Sequence, residues 1–182
     1  MKSRSFSLKP FPSAGLLPDL KITGSVERQS NSLSISYSLS GLLEELILPV
    51  PAEMPLRKNR LWEETCFELF LGVKGSERYW EFNLSSAGHW NVYCFTSYRQ
   101  GMQGEPAFTS LQISVQRRSN SLLLSMTFEL DKVIPPEQVE ETLQVGISAV
   151  IKTTDGKTTY WALAHSGPQA DFHRRDGFII EL

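Results

Sequence analysis

Asn31-Ser32-Leu33-Ser34-Ile35-Ser36-Tyr37-Ser38-Leu39 alternates polar and large apolar residues without a fault. Side chains of a β-strand point to opposite faces in turn, so this segment buries one face and wets the other. The same period runs through Leu111, Ile113 and Val115, and again through Leu122, Leu124, Met126, Phe128 and Leu130. Between those two runs, Arg118-Ser119-Asn120-Ser121 reads as a hairpin turn.

Outward from this core of alternation, turn signals fall at short intervals. Gln29-Ser30-Asn31-Ser32 follows a strand expected at 20–28. Lys74-Gly75-Ser76 separates strands near 65–73 and 78–85, and Ser86-Ala87-Gly88 precedes one near 90–98. Asp155-Gly156 suits the positive φ angles of a type I′ turn and links Val145–Thr153 to Thr158–Ala164. Helix is expected only as a short piece at Pro135–Glu141. A strand near Glu45–Leu48 gives way to a loop broken by Pro49, Pro51 and Pro55. The fold class is therefore all-β, an antiparallel β-sandwich of jelly-roll or immunoglobulin-like type, built as one domain over residues 1–182.

Composition narrows the function. The chain has 182 residues, 21% of them charged, and a formal net charge of -2, which is ordinary for a globular protein. Its densest basic cluster, Arg57-Lys58-Asn59-Arg60, is too small for a nucleic-acid footprint. No apolar run approaches a membrane span. The start Met1-Lys2-Ser3-Arg4 is not followed by the continuous apolar stretch of a secretory signal, so a cytoplasmic location is expected. Cys66 and Cys94 then read as two buried thiols, with no Cys-x-x-Cys or Cys/His cluster to hold a metal.

The strands over 65–98 depart from a simple wet exterior. If Phe67, Leu69, Leu71, Trp80, Phe82 and Leu84 face the core, the opposite face gathers Glu68, Phe70, Tyr79, Glu81 and Asn83. Pairing Leu69 with Phe82 places Glu68 beside Asn83. The next strand adds Trp90, Asn91, Tyr93 and Phe95 and ends at Tyr98-Arg99. Rings mixed with carboxyl and amide groups suit a sugar: the CH face of a pyranose stacks on a ring, and its hydroxyls need placed donors and acceptors. Arg99 is expected to meet Glu68 or Glu81 and keep that carboxylate ionised, with Arg60 as the reserve partner. The partner class is a small molecule, a sugar, with no nucleic acid, no membrane and no cofactor.

Leu61-Trp62-Glu63-Glu64-Thr65-Cys66-Phe67-Glu68-Leu69-Phe70 resembles the central motif of DOMON-like proteins related to family nine carbohydrate-binding modules. The resemblance continues through Tyr79-Trp80-Glu81-Phe82-Asn83-Leu84-Ser85, Gly88-His89-Trp90 and Tyr98–Met102 to Tyr160-Trp161-Ala162-Leu163-Ala164-His165 and Asp171-Phe172-His173. It implies a β-sandwich with a ligand-binding face and no catalytic role. By that resemblance Trp62, Trp90 and Trp161 are platforms, and Glu68, Asn83 and Arg99 bind hydroxyls. Together the candidate ligand-binding residues are Arg60, Trp62, Glu68, Glu81, Asn83, Trp90, Tyr93, Arg99, Trp161 and His165.

Two alternatives follow. Other DOMON relatives bind haem through a methionine and a histidine, for which Met102, His89, His165 and His173 are available. Glu68 and Glu81 could instead serve as the paired carboxyls of a glycoside-processing enzyme. His165, Asp171 and His173, in a loop expected over one end of the sandwich, are of the types that bind metal, although a hydrogen-bond network is favoured.

Overall fold

Residues 31–39 form the strand their alternation demands. In the computed structural model Leu33, Ile35, Tyr37 and Leu39 are buried, and the serines between them are half-buried. The structure describes residues 1–12, 19–138 and 140–182. In chain order the strands are β1 (Lys2–Ser7), β2 (Lys9–Pro10), β3 (Lys21–Gln29), β4 (Ser32–Ser40), β5 (Cys66–Val73), β6 (Tyr79–Ser85), β7 (Trp90–Phe95), β8 (Gln103–Gly104), β9 (Gln112–Arg117), β10 (Ser121–Glu129), β11 (Leu143–Lys152), β12 (Thr158–Ala162) and β13 (Ile180–Glu181).

They make two antiparallel sheets. One runs β1-β3-β4-β10-β9; the other runs β2-β12-β11-β5-β6-β7-β8, with β13 added beside β11. The N-terminal chain changes sheet between β1 and β2, at the buried Leu8. Inner faces meet in a shared core that draws on Ile35, Phe67, Leu69, Phe82, Val92, Met126, Phe128 and Ile147. Leu69 pairs with Phe82 and Glu68 with Asn83, the register the alternation called for. The Tyr37 hydroxyl crosses the core and donates to the Glu68 carbonyl at 2.9 Å, tying the two sheets together. Its partner strand β5 is the one that carries the carboxyl groups described below.

Several local expectations need correction. Asp155-Gly156 does not make a type I′ turn, because Gly156 (φ 85) has a positive φ there and Asp155 does not. The Gly156 N–H donates to Thr153 O, and Thr153 and Lys157 close the loop, so the glycine takes the left-handed place after a type I turn. Glu45–Leu48 is not a strand: Leu43–Glu45 is a 3-10 turn and Leu46 makes a single bridge to Thr153. The expected helix shrinks to a 3-10 turn at Pro136–Gln138, and Val139 lies outside the described residues. Among the described residues helix is limited to such short turns, and no helix is long and apolar enough to cross a membrane. Cys66 and Cys94 are both buried and free.

Candidate functional site

Strands β5, β6 and β7 are buried on both faces. The inner face is covered by the opposite sheet. The outer face is covered in two parts: residues 57–62 lie over Asn91 and Tyr93 of β7, and the chain after β12 crosses Phe70, Tyr79 and Phe95 and does not cap one end of the sandwich. Two glycines let this segment settle. A Cβ on Gly146 would lie 2.8 Å from the Phe178 ring, and one on Gly72 would strike the Arg175 guanidinium. Arg175 donates to Val73 O and Gln144 Oε1 across the same strands. Gly146→Val is therefore expected to lift the segment, cost about 1–3 kcal/mol of stability, and expose residues 165–178 to limited proteolysis. Unchanged protection from protease would refute this seating.

Beside the crossing segment the sheet face opens into a cavity of about 370 Å³. Its floor carries Glu68 and Glu81, and its walls include Trp62, Phe95, Tyr160 and Phe172, with Arg99, Met102 and His173 around them. Trp62 is placed by a 3-10 turn, Leu61–Glu63, that follows a left-handed Arg60 (φ 61). Its ring meets the Tyr93 ring edge-on at 5.6 Å. Tyr93 is itself held, since Asn91 Nδ2 donates to its hydroxyl, which donates on to Asn59 Oδ1.

The two carboxyl groups are 3% and 4% exposed, yet among the described residues neither has a charged cation in contact. Ser148 Oγ donates to Glu68 Oε2 at 2.8 Å, and Asn83 Nδ2 donates to Glu81 Oε1 at 2.8 Å. The other oxygen of each makes no hydrogen bond among the described residues. Burial pushes the Glu68 carboxyl up to about 8, with the charge of Glu81 adding to it and the Ser148 hydrogen bond and Arg99 opposing. Burial likewise pushes Glu81 up to about 7, against the Asn83 hydrogen bond and Arg99. Both acids thus hold protons into the neutral range.

Arg99 corrects an expectation. It does not meet Glu68 or Glu81 directly; its Nη2 donates to Asp171 Oδ1 at 2.7 Å. Asp171 also accepts from the Tyr98 hydroxyl and from the His173 backbone N–H. The guanidinium acts on the carboxyl pair at a distance and does not keep it ionised. Arg99 sits at φ 53, uncommon for a residue with a Cβ. Its N–H donates to the Tyr79 hydroxyl, which shares a hydrogen bond with His173 Nδ1 at 2.8 Å. Either partner can donate in this bond, according to which ring nitrogen carries the proton. Nε2 faces Glu81 Oε2 at 3.8 Å, too long for a hydrogen bond. Burial, helped by Arg99, lowers His173 to about 4, so the ring is neutral and this contact is not an ion pair.

Of the other candidates, Asn83 lies under Glu81 as its support, fully buried. Tyr93 backs Trp62. Arg60 points away and pairs with Glu63 on the surface. Trp90 pairs with Leu84 and Trp161 with Ala149, so both rings lie in the core between the sheets, not on a ligand face. Trp90 is covered by the Arg57 guanidinium, and Trp161 Nε1 donates to Thr159 Oγ1. His165 lies outside the cavity lining, bonding Lys9 O and the edge of Phe11. The wall residues Tyr160 and Phe172 are not among the residues that the sequence marks as ligand-binding. Tyr160 had a signal: in both Tyr79-Trp80 and Tyr160-Trp161 the tryptophan faces the core and the tyrosine faces out.

The residues do not fit an axial haem pair. Both ring nitrogens of His173 and of His89 face protein groups, and His165 Nε2 is taken by Lys9 O. Among the described residues no group of three or more His, Cys, Asp or Glu side chains could hold a metal ion. His173 and Asp171 belong instead to the network around Arg99 and Tyr79.

No family model matches the chain, and no curated protein matches it in sequence. Among solved structures, a candidate carbohydrate-binding protein from Bacteroides uniformis superposes with a TM-score of 0.68 at 12% identity, over 97% of this chain and 83% of that one. A family nine carbohydrate-binding module from Caldicellulosiruptor kristjanssonii, in complex with cellotriose, gives a TM-score of 0.48 at 7% identity, over 86% and 71% of the two chains. Its glucose complex gives 0.47 at 8% identity, over 83% and 69%. At these identities the likeness to the Bacteroides protein is one of fold.

Proposed function

We propose that the chain serves as one ligand-binding domain that takes a sugar, or the end of a sugar chain, into the cavity beside Trp62. One observation carries this reading. Two buried carboxyl groups stand on the floor of an aromatic-walled cavity, each with one oxygen held by the sheet and one left open. Rings suit the CH face of a pyranose. A carboxyl that keeps its proton both donates and accepts, as a sugar hydroxyl does. The cavity volume falls in the range of small-molecule sites. The Bacteroides uniformis protein that shares the fold is itself a candidate carbohydrate-binding protein. No nucleophile elbow, phosphate loop or metal motif argues for covalent chemistry, so the proposed role is binding.

The test uses the protein's own fluorescence. Trp80, Trp90 and Trp161 are core residues, whereas Trp62 borders the cavity, so a sugar should perturb Trp62 emission. Trp62→Ala is expected to weaken binding at least ~10-fold, about 1.4 kcal/mol, and to remove the emission change. Silence of the wild type toward a broad panel of neutral and charged sugars would sink the reading. Turnover of an aryl glycoside, lost in Glu68→Gln, would replace it with catalysis.

A further inference from the structure

The charge balance of the cavity points past a neutral sugar. Glu68 and Glu81 form the floor, and Asp171, bound to Arg99, lies behind the lining. Among the described residues that line the cavity, Arg99 is the one group that carries positive charge at neutral pH, and its ion pair is with Asp171. The titratable groups facing the carboxyl pair come from every surrounding element. They are Cys66 on β5, Tyr79 on β6, Tyr93 on β7, Tyr37 from the opposite sheet, Arg99 after β7, and Asp171 and His173 on the crossing segment. The tyrosines and the thiol are neutral near pH 7, and the buried His173 ring is neutral as well. Among the described residues the pair therefore has no counter-ion in contact, Arg99 acting on it only at a distance.

Geometry adds the second half. Each carboxyl is nine-tenths or more buried and lines the cavity, and each has one oxygen without a hydrogen bond among the described residues, that of Glu81 lying 3.8 Å from the neutral His173 ring. A lone hydroxyl can donate to only one of these oxygens. An ammonium carries three donors and a full positive charge, so it can serve both. The rings of Trp62, Tyr160 and Phe172 border the same space, and an aromatic ring attracts a cation held over its face. We infer that the cavity takes a sugar bearing a protonated amine, with the ammonium seated between Glu68 and Glu81 and the sugar ring against Trp62. This inference rests on the sugar-binding reading above and deepens it by fixing the charge of the ligand.

Proton linkage separates this ligand from a neutral one. A cation favours the ionised carboxyls, so its binding drives off protons and tightens as pH rises through their titration range. A neutral sugar that accepts from a protonated carboxyl releases none and weakens over the same range.

The experiment is titration calorimetry of the full chain at pH 7 with glucose and with an aminodeoxy glucose that carries its primary amine on C6, away from the anomeric carbon. Neighbouring oxygens hold such an amine below the lysine value, and at pH 7 it stays charged while the carboxyl pair still holds protons to release. Repeating the titration in buffers of different ionisation heat counts the protons released. The expected result is at least ~10-fold tighter binding of the amino sugar, with measurable proton release for it alone. Glu68→Gln combined with Glu81→Gln should bring the two sugars to within about 2-fold of each other. The proton count on the wild type needs no variant, so a poorly folding mutant does not blunt the test. Equal affinities without proton release would overturn the charged-ligand inference and leave the sugar-binding reading standing. Failure of both sugars and of the wider panel would overturn both.

Discussion

Raising the pH from 6.5 to 8.5 is expected to lower the melting temperature on the order of 5–10 °C. The sign follows from the buried carboxyl pair. Glu68 is raised from 4.5 to about 8 and Glu81 from 4.5 to about 7, so the folded chain binds these protons more tightly than the unfolded chain does. Their stabilising contribution is complete below about 4.5 and is lost as pH climbs through 7 and 8. Over this window the change amounts to roughly one unit per group, about 1.4 kcal/mol each, and each kcal/mol moves the midpoint by about 2–4 °C for a chain of this size. His173 works the other way, because its folded value near 4 lies below 6.5. Its contribution is complete above 6.5 and is lost as pH falls through 4, so it opposes the carboxyls only on the acid side. Scanning calorimetry across the window measures the effect, and Glu68→Gln should flatten the slope. A midpoint that holds constant or rises from pH 6.5 to 8.5 would contradict the assigned proton affinities.

Phe82→Ala should cost about 3–5 kcal/mol, the largest loss foreseen for a single truncation here. Phe82 lies in the middle of β6, fully buried, and leans across the core. Its ring stacks on Phe128 of the opposite sheet at 4.3 Å and meets Phe108 edge-on at 5.6 Å. Removing it takes away the transfer energy of the ring and leaves a cavity that two strands of different sheets cannot close by small shifts. The loss should appear as a lower urea midpoint with an unchanged slope. Phe82→Leu, which keeps most of the volume, should cost much less. A cost under 1 kcal/mol for the alanine variant would mean that the two sheets are not held together at this point.

The strand that contains Phe82 also shows how far the sequence could be read. Alternation set the faces of β4, β5, β6 and β10, and the same rule brought Glu68 beside Asn83. It also turns Trp90 and Trp161 toward the core and away from a ligand face. Their neighbours Asn91, Tyr93 and Tyr160 have the opposite parity and face outward. Chemical type drew attention to the tryptophans, whereas parity decided where they point. Asn83 and Tyr93 were placed on the correct face, yet they act there as supports beneath Glu81 and behind Trp62.

Local periodicity determined the all-β class, the inner and outer faces of the long strands and much of their register, because side-chain direction in a strand is fixed by counting in twos. Only the folded chain decided what covers the outer face. Arg99 meets Asp171 across 72 positions of sequence, and Tyr79 meets His173 across 94. Those contacts exist because Arg175 and Phe178 settle against Gly72 and Gly146, a fit between distant segments. A loop has no period of its own to announce its path; long-range packing gives it one, and with it the walls of the cavity.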